Sequence, residues 1–100
     1  MLWAIMRVAG PDFAAKRERG LTAHLDYLHG QKGILVLSGA TLTDDGTDVT
    51  GSLLIVSVGS RAEARAFVDA DPFQKAGMFT KVTITRMRKG QWNPRAAEGA

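Results

Sequence analysis

The fold is decided by residues 2–8, LWAIMRV, at the start of the 100-residue chain. This run consists mainly of strand-forming residues, and the breaker Gly10-Pro11 follows it. A second run of this kind, residues 52–58 (SLLIVSV), lies in the middle of the chain. Apolar residues occupy both alternating sets of positions in each run, which is typical of strands covered on two faces. The pattern predicts two central strands of one sheet.

Helices are predicted between and after these strands. Residues 13–28 are rich in helix-forming residues, with leucines recurring on one face. Residues 60–63, Ser-Arg-Ala-Glu, form a capping box for a second helix that ends near Asp69. Asp71-Pro72 begins one further helical turn, which Gly77 ends.

Two more strands complete the pattern, over residues 34–37 and 79–87. The first is predicted to pair antiparallel with residues 52–58. The order β-α-β-β-α-β with right-handed crossovers predicts a ferredoxin-like α+β sandwich with strand order 4-1-3-2. Residues 1–87 make up this domain, and residues 88–100 are a basic C-terminal tail.

The second apolar face of the central strands needs a cover. A two-layer sandwich leaves one sheet face in water, where polar residues are expected. The chain is too short to supply another layer, so a second copy is the economical cover. We therefore expect a homodimer in which two sheets pack face to face as a dimeric α/β barrel, with side chains or a small-molecule ligand inside.

The charge is unevenly distributed. Residues 81–100 contain five basic residues and one acidic residue, Glu98, so their net charge is +4. The first eighty residues carry −1, which gives +3 for the whole chain. The domain body is not basic, and nucleic acid is not an expected partner. RNA-recognition modules of the same element order stack bases on aromatic residues of the first and third strands. Here residues 52–58 contain no aromatic residue.

Several classes of protein are excluded or disfavoured. The chain has no cysteine, which excludes disulfides, thiolate catalysis and cysteine-ligated metals. The opening apolar stretch, residues 2–6, is too short for a signal sequence or a membrane span, so we expect a cytoplasmic protein and no membrane partner. Dinucleotide, P-loop and hydrolase-elbow motifs are absent, and no cofactor is expected. An acylphosphatase would need an asparagine in the domain body, but Asn93 lies in the tail.

His24 is a candidate acid or base. It lies at the edge of the leucine face, where the helix meets the sheet. An imidazole exchanges protons readily near neutral pH. The alternative is a boundary histidine that only packs. His29 follows five residues later, about 140° around a helix, so the two cannot share a metal ion, and no metal site is predicted.

Asp71 and Ser38 each have two interpretations. An aspartate before Pro72 caps a helical turn through backbone N–H groups, but its carboxylate could also orient an imidazole and fix its tautomer. Ser38 precedes Gly39 at a strand end, where a missing Cβ lets a ligand approach the backbone. Its hydroxyl either binds substrate or satisfies the backbone.

The chain contains four short motifs in this order: His24-Leu25, Leu37-Ser38-Gly39, Gly51-Ser52-Leu53 and Asp71-Pro72-Phe73. By these motifs residues 1–87 resemble the YciI-like (YCII-related) family. The resemblance implies a dimeric α/β barrel with a pocket between the first helix and the sheet. It also implies His24 and Asp71 as the catalytic pair. We expect Arg17, Ser38, Gly39 and Phe73 to be substrate-binding residues.

The sequence departs from the family at two positions. Ala40 stands where the family usually has proline, and Leu21 stands where many members have an arginine three residues before the histidine. Arg17, one turn further back, either replaces that arginine as an anion contact or is only solvated.

The expected function is that of a small cofactor-independent enzyme. His24 and Asp71 would transfer a proton in a lyase- or isomerase-like step on a small cyclic or aromatic metabolite. One alternative is a non-catalytic small-molecule binding or interaction domain, and another is a cofactor-free monooxygenase. Fold alone does not decide among these functions.

Overall fold

The computed structural model describes residues 1–100, which form one four-stranded sheet with helices on one face. The elements, in chain order, are β1 (Leu2–Ala9), α1 (Phe13–His29), β2 (Leu35–Leu42), β3 (Val49–Ser57), α2 (Arg61–Ala70), α3 (Pro72–Lys75), β4 (Phe79–Met87) and a short 3₁₀ helix (Pro94–Ala97).

The sheet is antiparallel, and its strands lie in the order β2-β3-β1-β4. Ile5 in the middle of β1 pairs with Leu54 of β3 on one side and with Ile84 of β4 on the other. This arrangement is a ferredoxin-like α+β fold, and it confirms the predicted strand order.

Two strands are longer than predicted. β2 continues to Leu42 and β3 begins at Val49, whereas the apolar runs indicated residues 34–37 and 52–58. The added segments consist largely of small and polar residues, and they pair with each other, as Thr41 does with Gly51. Such pairing uses backbone groups, so side-chain hydrophobicity does not reveal it.

The hydrophobic core lies between the helices and one face of the sheet. Its buried members come from β1, β3, α1 and α2: Trp3, Ile5, Leu28, Leu54, Val56, Ala64, Phe67 and Val68. Truncating a large side chain in such a core costs about 2–5 kcal/mol. Of the three leucines on the predicted face of α1, Leu28 alone is buried, and Leu25 is exposed. Leu25 borders an open cavity instead.

The other face of the sheet has no cover within the chain. Met6 and Val8 of β1 and Leu37 of β2 are exposed. At one end of this face a groove runs between Ile55 and the exposed Trp92 of the tail. None of the helices combines the length and the apolar composition that a membrane span requires.

Candidate functional site

A buried arginine anchors the site. Arg7 follows Trp3 and Ile5 on the face of β1 that the helices cover, and it is only 2% exposed. Its Nε donates to Ser52 Oγ at 2.9 Å, and its guanidinium lies 4.0 Å from the centroid of the Phe79 ring. Its Nη1 donates to Asp71 Oδ2 at 2.8 Å, which joins β1 to the start of α3 by a buried ion pair.

Asp71 is completely buried at the junction of α2 and α3. Oδ1 accepts hydrogen bonds from His24 Nδ1 at 2.7 Å and from the backbone N–H of Phe73 at 3.0 Å. Oδ2 accepts from Arg7. The carboxylate therefore caps α3 and contacts an imidazole at the same time, so both interpretations of Asp71 describe real contacts.

The ionisation of Asp71 follows from these contacts. Burial acts to raise the pKa of Asp71, but the hydrogen bonds and charges of His24 and Arg7 outweigh it and hold the pKa below its ordinary value. Burial lowers the pKa of Arg7, and the hydrogen bond and charge of Asp71 oppose that effect. Asp71 is thus a carboxylate near neutral pH, and Arg7 is its counter-ion.

His24 presents one free nitrogen. An ionised carboxylate can only accept hydrogen bonds, so the proton in the His24–Asp71 contact lies on Nδ1. In the neutral imidazole the lone pair then lies on Nε2. The ring stacks on Phe73 with centroids 3.8 Å apart, and the side chain keeps 11% exposure. The arrangement fixes the tautomer and the plane of a potential base.

Gly20 of α1 lies beside this stack. A Cβ built at Gly20 would stand 3.4 Å from Cε1 of Phe73, which is ordinary van der Waals contact. An alanine would therefore fit there, and the glycine weakens the helix by about 1 kcal/mol relative to alanine.

A cavity of about 250 Å³ adjoins His24 between α1 and the sheet. Its walls come from all four strands and from α1 and α3: Arg7, Phe13, Arg17, Leu21, His24, Leu25, Leu28, Ser38, Gly39, Ala40, Val49, Gly51, Ser52, Leu54, Phe73 and Phe79. An apolar cavity of about 150 Å³ accepts benzene. The volume therefore suits one substituted ring.

Five of the six residues singled out in the sequence line this cavity: His24, Arg17, Ser38, Gly39 and Phe73. Asp71 lies behind His24 and reaches the cavity only through the imidazole. Arg17 and Ser38 are exposed at the cavity wall. A Cβ at Gly39 would meet nothing within 4 Å, so protein packing does not require this glycine.

The sequence interpretation named neither Arg7 nor Ser52 as a site residue. The sequence pattern nevertheless indicates both. Arg7 shares its strand face with Trp3 and Ile5, and Ser52 shares its face with Leu54, so alternation places both polar residues on the covered side. The two are directly opposite each other in the β1–β3 ladder.

The chain has no cluster of three or more side chains that could hold a metal ion. Three wider surface grooves, the largest of about 650 Å³ beside Met1 and Arg86, contain neither histidine nor carboxylate. The smaller cavity at His24 is therefore the better candidate site, since it combines enclosure with a buried ionic network.

Comparisons with known proteins identify the family of the chain. The profile of the YCII-related domain matches residues 1–88. No curated protein matches the chain. Among solved structures, the chain is similar to 5-chloro-2-hydroxyhydroquinone dehydrochlorinase from Burkholderia phenoliruptrix, in complex with 2,5-dihydroxybenzoquinone. The two share 37% sequence identity over 90% of this chain and 96% of the other, with a TM-score of 0.79. The chain belongs to the YCII-related domain family.

Proposed function

We propose that the chain is a small-molecule enzyme that eliminates a leaving group from a hydroxylated ring, with His24 as the base and Asp71 as the group that orients it. The observation that carries the proposal is the 2.7 Å hydrogen bond from His24 Nδ1 to the buried Asp71 carboxylate. It leaves Nε2 as an acceptor beside a ring-sized cavity.

The chemistry needs only proton transfer. One hydroxyl proton of a chlorinated hydroxyhydroquinone first moves to the chlorine-bearing carbon, which gives a keto tautomer. Nε2 of His24 then takes a proton from a second hydroxyl, a ring C=O and C=C form, and chloride departs with the C–Cl bonding electrons. The sum is loss of hydrogen chloride to give a hydroxybenzoquinone, and no external oxidant or reductant enters it. The imidazolium formed in the step is stabilised by Asp71 and later returns the proton.

The cavity walls suit a flat, partly polar ligand. Phe13 and Phe79 lie with their centroids 5.7 Å apart at one side, and Phe13 also meets Phe73 edge-on. Ser38 and Arg17 offer polar groups at the exposed side. We propose that the aromatic side chains hold the ring, while Ser38 and Arg17 bind its oxygens and Gly39 leaves them access.

The test is turnover of 5-chloro-2-hydroxyhydroquinone, the compound that appears in the name of the similar dehydrochlorinase. Purified chain and substrate are mixed without added cofactor, and released chloride and the quinone absorbance are followed together. We expect equal amounts of the two products, with a rate that His24→Gln lowers by about 10²–10⁴-fold. The surface variant His29→Gln is the matched control and should keep full activity.

Two other outcomes would change the assignment. Saturable binding of 2,5-dihydroxybenzoquinone without chloride release would replace the enzyme with a small-molecule binding domain. Oxygen consumption during turnover would indicate a cofactor-free monooxygenase. A brominated or fluorinated analogue then tests whether the rate depends on the leaving group, as elimination requires.

We further propose that the chain acts as a homodimer through the uncovered face of its sheet. Met6 and Val8 are 44% and 48% exposed, and Leu37 continues the same surface on β2. Soluble monomers rarely leave a contiguous apolar patch larger than a few hundred Å² in water. A second sheet packed about 10 Å away would cover these side chains.

Residues 88–100 are proposed to be a tail outside the domain of residues 1–87. All of them are exposed, and their one element is the short helix Pro94–Ala97. The tail holds three of the basic residues, too few for strong, salt-resistant binding to nucleic acid. We expect weak binding to mixed-sequence RNA or DNA at low salt that physiological salt abolishes.

A further inference from the structure

Arg7 and His24 contact the same carboxylate. Nη1 of Arg7 lies 2.8 Å from Oδ2 of Asp71, and Nδ1 of His24 lies 2.7 Å from Oδ1. The Arg7 and Asp71 side chains are each only 1% exposed. Water therefore screens the three groups little, and their charges act on one another more strongly than at the surface.

Without Arg7 the carboxylate would hold the imidazole more firmly in its protonated form. A lone buried carboxylate beside an imidazole favours the imidazolium form. An imidazolium has no lone pair and cannot accept a proton from a substrate. A cation on the second carboxylate oxygen opposes that preference, because it compensates part of the carboxylate charge.

We propose that Arg7 is a positioning residue of the His24–Asp71 pair: its cation compensates the charge of Asp71, so that His24 stays neutral and able to accept a proton near pH 7. This inference rests on the proposed function for its catalytic meaning. The electrostatic effect on His24 is measurable without a substrate.

Other charged groups near His24 do not supply this effect. α1 contributes Arg17 to the cavity, but Arg17 is exposed and screened by solvent. β2, β3 and β4 contribute no charged side chain to the cavity, and α3 contributes Phe73. Tyr27 of α1 has a pKa raised by burial and by the charge of Asp71, so it remains neutral near pH 7.

Arg7 also fixes the carboxylate in space. Its Nε is bound to Ser52 on the neighbouring strand, and the Phe79 ring covers its guanidinium face. The guanidinium therefore has little freedom to rotate, and neither has the carboxylate that it holds. Lysine could keep the charge at this position but not the planar contact with two partners.

The experiment is an NMR titration of the two histidine side chains in the full chain, without substrate. Arg7→Gln removes the cation and keeps a neutral hydrogen-bond donor on a shorter side chain. We expect the midpoint of His24 protonation to rise by about one pH unit. Arg7→Lys should stay within about 0.3 units of the unmodified chain, since the cation remains.

The chain offers two matched controls. His29 lies outside the cavity at the end of α1 and should titrate identically in every variant. Arg65→Gln removes an arginine that pairs with Asp69 on the surface, and both histidines should titrate as before. A His24 midpoint that does not move in Arg7→Gln overturns the proposal and leaves Arg7 with a purely structural role.

Arg7→Gln leaves Asp71 buried without its counter-ion, so this variant is at risk of not folding. The same comparison is then made between Asp71→Asn and the double variant Arg7→Gln/Asp71→Asn, which contains neither charge. If the Arg7 cation acts on the imidazole, His24 protonates at higher pH in the double variant. Equal midpoints would contradict the proposal.

Kinetics separate this inference from the proposed function. If the chain is the proposed enzyme, the acid limb of kcat/KM in Arg7→Gln moves up with the His24 midpoint, and activity recovers at higher pH. A purely structural defect would lower activity at all pH values. Absence of turnover in the unmodified chain would remove the proposed enzyme, while a shifted His24 midpoint would still support the role of Arg7.

Discussion

The imidazole of His24 and the ring of Phe73 lie face to face, with centroids 3.8 Å apart and planes within 3°. The backbone N–H of Phe73 also donates to the carboxylate that His24 contacts. One residue thus holds the plane of the imidazole and one oxygen of its partner. In the Asp71-Pro72-Phe73 order, the carboxylate and the stacking ring lie two positions apart in the chain.

Phe73→Leu should separate this stacking from simple burial. Leucine keeps an apolar side chain at the position but offers no flat face, so we expect about a tenfold loss in kcat from a less well oriented imidazole. Phe67→Leu is the matched control, because Phe67 is buried in the core and stacks against Tyr27. Thermal unfolding should show comparable destabilisation in both variants, and steady-state assays should show lost activity in the first alone.

His24 and Asp71 should act as one unit in catalysis. We expect His24→Gln and Asp71→Asn each to lower kcat/KM by about 10²–10⁴-fold, and the double variant to lose little more than the worse single one. Asp69→Asn, at an exposed position of α2, controls for removal of a carboxylate. Losses that multiply in the double variant would show that the two residues act independently.

The stability contributed by Asp71 should disappear in acid. Its folded-state pKa is depressed, so it stabilises the fold above its unfolded pKa of about 3.9, and this stabilisation is lost as pH falls through the folded value. At pH 7 we expect Asp71→Asn to be less stable by about 3–5 kcal/mol, since Arg7 loses its counter-ion. Urea unfolding between pH 7 and 3 should show this difference narrowing below about pH 4. A constant difference would mean that the charge of Asp71 contributes nothing.

Gly51 should tolerate no side chain. A Cβ there would stand 1.9 Å from the carbonyl oxygen of Arg7, which is backbone and cannot move aside without breaking the ladder. We expect Gly51→Ala to destabilise the chain by about 3 kcal/mol or more. Gly39→Ala, also in a strand, meets nothing within 4 Å and should change the unfolding free energy by less than about 1 kcal/mol.

If the chain forms the proposed homodimer, we expect a sedimentation mass of about twice 10.8 kDa at micromolar concentration. Met6→Glu places a charge in the middle of the uncovered face and should shift the equilibrium to monomer. Ala15→Glu, on the exposed surface of α1, should leave the dimer intact. A monomer across the whole concentration range would contradict the face-to-face arrangement.

Strong local signals made most of the fold predictable. The alternating apolar runs, the capping box at Ser60 and the Asp71-Pro72 start were sufficient for the element order, and handedness gave the strand order. The ends of β2 and β3 were not predictable, since residues such as Gly39 and Thr41 pair through their backbones. Leu25 lies on the leucine face of α1, yet it is exposed and lines a cavity, which the spacing alone does not reveal.

Only part of the candidate site could be predicted from the sequence, for a related reason. His24 and Asp71 attract attention because their chemistry is distinctive and a family resemblance supports them. Arg7 is a single cation in an apolar strand, and such a residue is usually exposed. Its burial depends on Asp71, which lies 64 positions away in the chain. Only the tertiary fold brings that partner within reach.

The Arg7–Asp71 contact also bears on when the proposed site can form. It links the first strand to the residue that caps α3, so the pair cannot form until the chain has been synthesised through Asp71. Closing a loop of this length costs conformational entropy before the contact rewards it. A shorter nascent chain thus holds its histidine without the groups that orient it. We therefore expect the proposed proton transfer only in molecules in which β1 and the start of α3 have come together.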